Sequence, residues 1–394
     1  MHLLEGPVRD YAWGSRTAIA QLQGRPAPSA GPEAELWLGA HPASPALLRL
    51  PGGPVPLTEV IDADPVAVLG ERAVSAYGRR LPFLLKVLAA AQPLSLQAHP
   101  DLAQARAGFA ADEAAGVGLG AAERTYNDAW HKPELLVALG EFEALCGFRD
   151  PQESAKLLGV LDVPALAPTV AALGGPDPSV GLRAAVHGLL TMPVGLRAGL
   201  VAAVVAAAEP LAAEHLSYEL AGQLAARYPG DVGVVVALLL NRVRLAADQA
   251  VWMPAGNLHA YLSGVGIEIM AASDNVLRGG LTPKPVNVAE LLRVLRFEAL
   301  TYPVVLPKRL GGGVVTWPAP VGDFALVRAS VDGNQVSLPG AGPRVLLCTR
   351  GTVGCDDGAG GVTIASGQAA FAPASAAGIT VTGTGDVYQA SVGA

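Results

Sequence analysis

Residues 259–284 read HAYLSGVGIEIMAASDNVLRGGLTPK, and this stretch says most about how the chain folds. Short apolar runs alternate with glycines, as they do in β-strands that are joined by turns. Six different polar chemistries stand among them: His259, Tyr261, Glu268, Asp274, Arg278 and Lys284. A solvated face would be rich in Lys and Glu and would be periodic. The stretch therefore predicts a site built into a β-rich region.

The segments on either side indicate a mainly β fold that is interrupted by helices. Residues 153–161, 179–192 and 194–228 carry apolar residues at helical spacing. Residues 234–240, 250–253 and 266–270 favour extended structure, with Glu268 on the strand after the one that carries His259. Arg278 then falls in a loop. Beyond a short helix at 288–297, residues 301–394 form β-type runs between Gly and Pro turns, as in a sandwich or barrel.

Composition excludes several classes of protein. With 394 residues, the chain is longer than a single core supports, so we expect two or three domains. The net charge of −7 argues against a nucleic-acid partner, which would require clustered Lys and Arg. The apolar runs at 200–208 and 232–240 are too short to span a bilayer, so we predict no membrane association.

The cysteines and the N-terminus favour a cytoplasmic protein. Three cysteines, Cys146, Cys348 and Cys355, form neither a disulfide framework nor the C-x-x-C spacing of a zinc site. The opening residues MHLLEGPVRDYAWG lack the basic and apolar regions of a signal peptide.

Two upstream segments supply candidate ligands. In LSLQAHPD, residues 94–101, a strand would place Ser95, Gln97 and His99 on one face. In YNDAWHKPELL, residues 126–136, Glu134 precedes an apolar run and points inward. A buried carboxylate needs a cation or a metal, and a salt bridge to Lys132 or an arginine fits as well as a metal does.

His99, Glu134 and His259 together form a plausible three-ligand zinc set, with Gln97 as a possible fourth ligand through its carbonyl oxygen. Ligands so far apart in sequence are a weak signal by spacing alone. The alternative for Glu268 is a buried ion pair, with Arg278 as a candidate partner, and the alternative for Arg278 is plain surface charge.

The chain resembles the type I mannose-6-phosphate isomerases (phosphomannose isomerases) over essentially its full length. The motifs are Tyr11-Ala-Trp13-Gly14, Glu35-Leu-Trp37-Leu-Gly39-Ala-His41-Pro42, Ser95-Leu-Gln97-Ala-His99-Pro100-Asp101, Tyr126-Asn-Asp128-Ala-Trp130-His131-Lys132-Pro133-Glu134, and residues 259–284. One departure is Trp130, where the family usually carries Asn. Trp130 does not occupy a ligand position.

The resemblance implies one zinc ion per chain, held by Gln97, His99, Glu134 and His259, and it implies that Arg278 is important for turnover. It also implies two cupin-type jelly-roll β-sandwiches with an inserted α-helical domain. The expected parts are a catalytic cupin at 1–150 and 233–300, a helical domain at 151–232, and a metal-free cupin-like domain at 301–394. The lack of histidines after His259 supports a C-terminal cupin without metal.

The implied reaction interconverts mannose 6-phosphate and fructose 6-phosphate through a cis-enediol, as an intramolecular oxidoreductase does. Glu268 and Lys132 are candidates for the base that moves the proton between C2 and C1, and His131 is favoured for ring opening. Candidate phosphate contacts are Ser95, Lys86 and Lys284. Further residues are expected in or behind the pocket wall: Trp13, Glu35, Tyr261 and Asp274. An alternative role for Asp274 is to orient Arg278 or a metal-bound histidine.

Two other functions fit the same residues. One is a cupin that binds a sugar phosphate without catalysis, because the scaffold serves many functions. The other is an isomerase for a different aldose phosphate. Zinc, cobalt and manganese suit similar ligands. The expected partner is a small sugar phosphate, and the expected state is a monomer.

Overall fold

The computed structural model describes residues 1–121, 123–301 and 303–393. The strands are β1 (His2–Glu5), β2 (Val8–Arg9), β3 (Glu35–Leu38), β4 (Leu47–Leu50), β5 (Gly53–Pro56), β6 (Phe83–Ala90), β7 (Leu96–Ala98), β8 (Glu134–Phe148), β9 (Leu240–Leu245), β10 (Ala250–Met253), β11 (His259–Ala271), β12 (Leu277–Gly280), β13 (Val304–Val305), β14 (Lys308–Gly311), β15 (Val314–Thr316), β16 (Ala325–Asp332), β17 (Val336–Leu338), β18 (Arg344–Asp356), β19 (Gly361–Ala365), β20 (Ala369–Ala372) and β21 (Ile379–Ser391).

The helices are α1 (Ala18–Leu22), α2 (Leu57–Ala63), α3 (Pro65–Leu69), α4 (Glu71–Tyr77), α5 (Leu102–Ala114), α6 (Pro151–Gly159), α7 (Ala167–Leu173), α8 (Pro178–Leu190), α9 (Val194–Ala208), α10 (Leu216–Arg227), α11 (Gly233–Ala237) and α12 (Val288–Val294), with 3₁₀ turns at Pro164–Leu166 and Glu209–Leu211. The expected architecture, mainly β with an inserted helical block and two cupin-type β units, is confirmed.

The strands form two antiparallel sheets. The first sheet has ten strands, with β13-β10-β8-β11-β6-β3-β2 as its main path. The second sheet has eleven strands, and its main path runs β14-β15-β16-β21-β18-β20-β1-β4-β5. The long strands β8 and β11 are central neighbours in the first sheet, so most of the residues around them are buried on both sides.

Alternation along the strands separates two environments. On β6, Leu85 and Val87 join a core that also contains Trp317 and Phe324 of the C-terminal region. Lys86, between them, points to the opposite face, because successive strand residues face opposite sides. One face of the first sheet therefore packs on the second sheet, and the other face is free to carry polar groups.

The buried faces of α6–α11 pack together and against α12, in a core that also contains residues of β7, β8, β11 and β12. The helical stretch Val194–Leu211 is long and apolar enough to cross a membrane by length and composition, and only 22% of it is buried. From the sequence, the apolar run at 200–208 is too short to span a bilayer. The absence of membrane association therefore stays a prediction.

Three local expectations were wrong. Residues 234–240 were expected to be extended, but α11 occupies Gly233–Ala237 and β9 begins only at Leu240. Glu268 lies on the same strand as His259, β11, and not on the next one. Arg278 lies on β12, which pairs with β7, and not in a loop. A run of buried β-branched residues cannot by itself distinguish a buried helix from a buried strand.

The two ends of the chain share a sheet. β1 pairs with β20 and with β4, so residues 2–5 and 47–56 belong to the same sheet as the C-terminal strands. The domain boundaries expected from the sequence place all of residues 1–150 in the catalytic cupin. The strands β1, β4 and β5 lie within that range but belong to the second sheet. Sequence order could not reveal it, because β1 and β20 are each too short to specify a distant partner.

The β8–β11 pair is a sharply bent ribbon. Its register shifts twice, between Tyr261 and Ser263 and between Gly264 and Gly266, as at a β-bulge. Gly264 has a φ of +120°, and a Cβ there would lie 2.6 Å from a ring carbon of Phe142 and 2.7 Å from the Glu141 carbonyl oxygen. Only glycine fits this bend. The bend lets the two ends of one ribbon face each other.

Candidate active site

Three side chains meet where the bent ribbon closes. Glu134 begins β8, His259 begins β11, and His99 follows β7. His259 Nε2 lies 3.2 Å from Glu134 Oε2, and His99 Nε2 lies 3.4 Å from Glu134 Oε1. One potential ligand atom from each residue lies within 4.8 Å of the others, and all three residues are buried. The three-ligand set expected from the sequence is thus brought together.

Backbone carbonyl groups orient both imidazoles. His99 Nδ1 lies 2.7 Å from the Asn275 oxygen, and His259 Nδ1 lies 3.0 Å from the Asn257 oxygen. Each Nδ1–H therefore donates outward, which leaves the Nε2 lone pairs directed at the centre. A histidine that ligates a metal is commonly fixed by such a bond from its other ring nitrogen.

The central atoms of this set are not satisfied by hydrogen bonds from the part of the chain that the structure describes. His99 Nε2, His259 Nε2 and Glu134 Oε2 are buried and make no hydrogen bond among the described residues. Orphaned buried polar atoms are costly, and convergent ones are satisfied by a common ion. Two imidazole nitrogens and a carboxylate are ligands that zinc prefers. The residues therefore fit a zinc ion.

Electrostatics keep this set ready for a cation. Burial, aided by the Lys132 ammonium, lowers the pKa of His99 to about 4, so the ring stays neutral at physiological pH. Burial alone would raise the pKa of Glu134, but the Lys132 ammonium and the neighbouring imidazoles hold it well below its usual range. The lone pairs that a metal needs are present without first removing protons.

Gln97 lies beside this centre. It is on β7, where its backbone pairs with His259 on one side and with Arg278 on the other. Leu96 and Ala98 are buried in the helical-domain core while Gln97 is only half-buried, so the strand alternation expected for this segment is present. Its role as the fourth ligand stays a prediction.

A second buried charge cluster adjoins the first. Lys86 Nζ lies 3.1 Å from Glu268 Oε2 and 3.5 Å from Glu35 Oε1. The Trp37 indole donates to Glu35 at 2.7 Å. Neighbouring strands align Trp37, Lys86 and Glu268 across β3, β6 and β11. The suggested ion pair of Glu268 with Arg278 was therefore wrong, because its cation is Lys86.

The protonation of this cluster follows from its burial. Desolvation raises the pKa of Glu268, and the charges of Glu134 and Glu35 add to that effect while Lys86 opposes it. Burial would lower the pKa of Lys86, but the carboxylates of Glu268 and Glu35 raise it. Glu268 is thus a weaker acid than an exposed glutamate, as suits a group that accepts and returns a proton.

His131 and Lys132 come from the loop before β8. Lys132 Nζ lies 3.0 Å from Glu134 Oε1, so the salt bridge and the metal-binding arrangement, proposed as alternatives for Glu134, coexist. Three carboxylates (Glu35, Glu134 and Glu268) then face two ammonium groups, which leaves a net negative charge for a divalent cation to balance. His131 Nε2 is bonded to Asp323 of the C-terminal region.

The Arg278 guanidinium is half-buried and has no carboxylate partner among the described residues. Burial lowers the pKa of its guanidinium, with no carboxylate contributing to the shift. Within the described residues, no hydrogen bond or ion pair involves its side chain. The alternative of ordinary surface charge does not account for a guanidinium that is half-buried and unpaired. Such a group suits an anionic ligand.

The remaining predicted pocket residues are more scattered. Tyr261 is buried, and its hydroxyl has no hydrogen-bond partner among the described residues. Trp13 packs at the edge of the apolar cluster that includes Tyr261. Ser95 is half-buried just before β7, and Lys284 is exposed beyond β12.

Asp274 was expected to orient Arg278 or a metal-bound histidine, and this was wrong. Asp274 Oδ2 lies 3.0 Å from His41 Nε2 instead. This contact joins the loop after β11 to the loop after β3. His41 stands in the Glu35–Pro42 motif, but nothing in that motif signals a partner more than two hundred residues away.

Asn275 was missed, although it organises the site. It is fully buried, accepts from the Asn127 N–H at 2.8 Å, and donates to the carbonyl oxygens of Asp128 and Trp130 at 2.8 Å each. Its backbone carbonyl oxygen accepts the hydrogen bond from His99 Nδ1–H. The signal was available: an amide in a polar triplet, Ser-Asp-Asn, directly after an apolar strand.

The comparison with known proteins agrees with this geometry. Residues 1–151 match the family model of the phosphomannose isomerase type I catalytic domain. The chain is 37% identical over 392 residues to the mannose-6-phosphate isomerase of Escherichia coli (strain K12), covering 98% of each chain. It is 31% identical over 398 residues to mannose-6-phosphate isomerase 1 of Arabidopsis thaliana, covering 93% of this chain and 88% of that one.

Solved structures agree over the whole chain. A zinc-bound mannose 6-phosphate isomerase superimposes with a TM-score of 0.92 at 35% identity, covering 100% of this chain and 99% of the other. The Salmonella typhimurium enzyme bound to fructose 6-phosphate and zinc also gives a TM-score of 0.92 at 35% identity, covering 100% of both.

Proposed function

The chain belongs to the type I mannose-6-phosphate isomerases, and we propose on that premise that it interconverts mannose 6-phosphate and fructose 6-phosphate with one zinc ion bound. The observation that carries the proposal is the buried His99–Glu134–His259 set with its orphaned ligand atoms beside a second cluster containing Glu268. We propose Gln97 as a fourth ligand from its place on β7.

The reaction moves a proton between C2 and C1 of the open-chain sugar, through a cis-enediol. Zinc, when bound, polarises the oxygens on these carbons and stabilises the negative charge that develops there. Arg278 adds a fixed positive charge for the same purpose, since no carboxylate competes for it.

Glu268 is the base that we favour for the proton transfer. Its raised pKa strengthens it as a base, and the Lys86 ammonium 3.1 Å away holds the carboxylate in place. Lys132 stays the rival, but its ammonium is already bonded to the Glu134 carboxylate and would have to lose a proton before acting as a base.

The phosphate contacts are proposed at Ser95 and Lys284. Lys86 was proposed with them, but its ammonium lies between two buried carboxylates and serves the base more directly. We place Trp13, Glu35, Tyr261 and Asp274 around the sugar or behind the residues that touch it.

A cytoplasmic monomer is the setting that we propose. The three cysteines are all free and buried, which suits a reducing compartment. The division into a catalytic cupin, a helical domain and a C-terminal cupin is likewise proposed, with β1, β4 and β5 contributed to the C-terminal sheet.

A coupled assay on mannose 6-phosphate tests the function. The zinc-loaded protein is expected to form fructose 6-phosphate, and chelation is expected to abolish the activity. Calorimetric binding of mannose 6-phosphate without turnover would instead favour the non-catalytic sugar-phosphate-binding cupin. A higher kcat/KM for another aldose phosphate would reassign the substrate.

A further inference from the structure

One hydrogen bond connects the C-terminal region to the loop that leads into the metal site. His131 Nε2 lies 3.0 Å and 3.1 Å from the two carboxylate oxygens of Asp323. Asp323 is only 5% exposed and lies just before β16, in the second sheet. His131 precedes Lys132, which contacts the ligand Glu134.

Cationic and aromatic side chains lie near Asp323 and the loop that carries His131. Arg80 lies close enough for its charge and that of Asp323 to interact, and its guanidinium stacks over Trp130 at 4.4 Å. Tyr77 packs against the same Trp130 ring, with centroids 6.2 Å apart. Among the described residues, the side chain of Asp323 hydrogen-bonds to His131 alone. Trp130, the departure from the family pattern, is thus part of this packing.

The bond decides which ring nitrogen can act. Because a carboxylate accepts, His131 donates through Nε2–H, and the lone pair stays on Nδ1. Nδ1 makes no hydrogen bond within the described residues, and the side chain is 22% exposed. The ring therefore offers one fixed donor to the protein and one free acceptor to a ligand.

We infer that Asp323 is a positioning residue that fixes the tautomer of His131 for opening the sugar ring, so that the C-terminal region completes the active site. The inference rests on the proposed isomerase function. Nδ1 takes the proton from the O1 hydroxyl, C1 and O1 form a carbonyl, and the C1–O5 bond breaks with its electron pair going to O5. The imidazolium then returns the proton to O5, so that no other reactant is needed.

The test is a double-mutant cycle on the zinc-loaded enzyme with Asp323→Asn, His131→Gln and the double variant. Asp323→Asn is nearly isosteric, but its amide can donate to Nε2 and so favours the wrong tautomer. We expect kcat to fall about 100-fold, the low end of what general acid–base catalysis contributes, because the ring is misoriented and not removed. KM and zinc content should stay within about twofold. In the His131→Gln background, Asp323→Asn should have no further effect.

Asp248→Asn is the matched control. Asp248 also links the two sheets, through an ion pair with Arg328 and a bond from the Trp317 indole to its carbonyl oxygen. It does not contact His131. We expect this variant to lower thermal stability and to leave kcat unchanged. If the control lowers kcat as much as Asp323→Asn does, the role of Asp323 is only to join the sheets.

Additive effects in the cycle, or full activity of Asp323→Asn, overturn the inference. If Asp323→Asn folds poorly, Asp323→Glu keeps the carboxylate and should recover at least part of kcat when Asp323 acts as proposed. No recovery in a folded, zinc-loaded Asp323→Glu protein counts against it. A wild-type enzyme without isomerase activity would refute the proposed function instead, and so the two failures are distinct.

Discussion

His259 provides the most direct residue-scale test of the metal site. Its Nε2 lies 3.2 Å from Glu134 Oε2 and makes no hydrogen bond among the described residues, whereas its Nδ1–H donates to the Asn257 carbonyl oxygen. His259→Gln should lower zinc affinity at least about 10-fold, because a weaker ligand replaces the imidazole. Elemental analysis after dialysis against a weak chelator measures this. His187→Gln, on the exposed face of α8, is the control and should retain zinc; full zinc occupancy in His259→Gln would remove it from the ligand set.

Arg278 should affect turnover and not metal binding. Its guanidinium is half-buried and has no ion-pair partner among the described residues, so it is available to the charge that develops on the substrate oxygens. Arg278→Ala should lower kcat by about 10²- to 10³-fold, the range for removing one such stabilising group. Zinc content, measured in parallel, should not change. Unchanged kcat would exclude Arg278 from the mechanism.

Exchange of the substrate C2 proton with solvent distinguishes Glu268 from Lys132 as the catalytic base. Glu268→Gln should abolish exchange of the C2 proton of mannose 6-phosphate with solvent deuterium, because a neutral amide cannot accept it. Lys132→Met should retain measurable exchange with reduced turnover. Proton NMR in deuterium oxide measures the exchange in both variants. Exchange that persists in Glu268→Gln and stops in Lys132→Met would assign the base to Lys132.

At this scale, the sequence indicated candidate residues better than it indicated how they pair. His99, Glu134 and His259 stood out as imidazole and carboxylate groups among apolar residues, but the resemblance to the family was needed to predict them as one ligand set. The partner of Glu268 could not be predicted, because Lys86 reaches it through the register between β6 and β11. The same is true of Asp274 with His41 and of His131 with Asp323, whose contacts join loops far apart in sequence.

Among the elements, the bent β8–β11 ribbon controls the site. Gly264→Ala should strain the backbone at positive φ and push a methyl group against Phe142 and the Glu141 carbonyl. We expect a loss of roughly 2 kcal/mol or more in the free energy of unfolding, with weaker zinc binding, because the bend brings His259 to Glu134. Urea unfolding and zinc titration measure the two effects.

Gly140→Ala is the control for that change. Gly140 lies on β8, and a Cβ there would meet nothing within 4 Å. This variant should unfold within about 0.5 kcal/mol of the wild type, as surface substitutions usually do. Equal effects of the two substitutions would show that the bend does not depend on glycine at position 264.

Elements were predictable where a periodic pattern was long, as in α8–α10 and the C-terminal strands. The four short helices of the first eighty residues were not expected, because five to seven residues contain too few turns for a pattern. The bend of the ribbon was hidden for another reason. A bulge appears in the sequence only as a glycine, and this chain has 47 of them.

For the whole molecule, the buried neutral His99 makes the metal-free protein sensitive to mild acid. Its folded pKa is about 4 and its unfolded value 6.5. Between these values only the unfolded state binds the proton, so stability is fully present above pH 6.5 and falls as the pH drops toward 4. The loss should approach about 3 kcal/mol at the lower limit.

Urea unfolding of the chelated protein between pH 7.5 and 5 measures this slope. The range stays above the ordinary titration of glutamate, so that Glu134 contributes little. His99→Gln has no ring to protonate and should show a smaller slope over the same range. Identical slopes for the wild type and the variant would mean that another group is responsible.

The pairing of β1 with β20 limits when the second sheet can assemble during synthesis of the chain. Residues 2–5 leave the ribosome long before their partners in β20 are made. At about 5–20 residues per second, roughly 20 to 70 seconds separate the two events. Throughout that interval β1 lacks β20 and can pair only with β4, and the second sheet cannot close. The strand β1 is therefore synthesised early and is among the last strands to reach its native position.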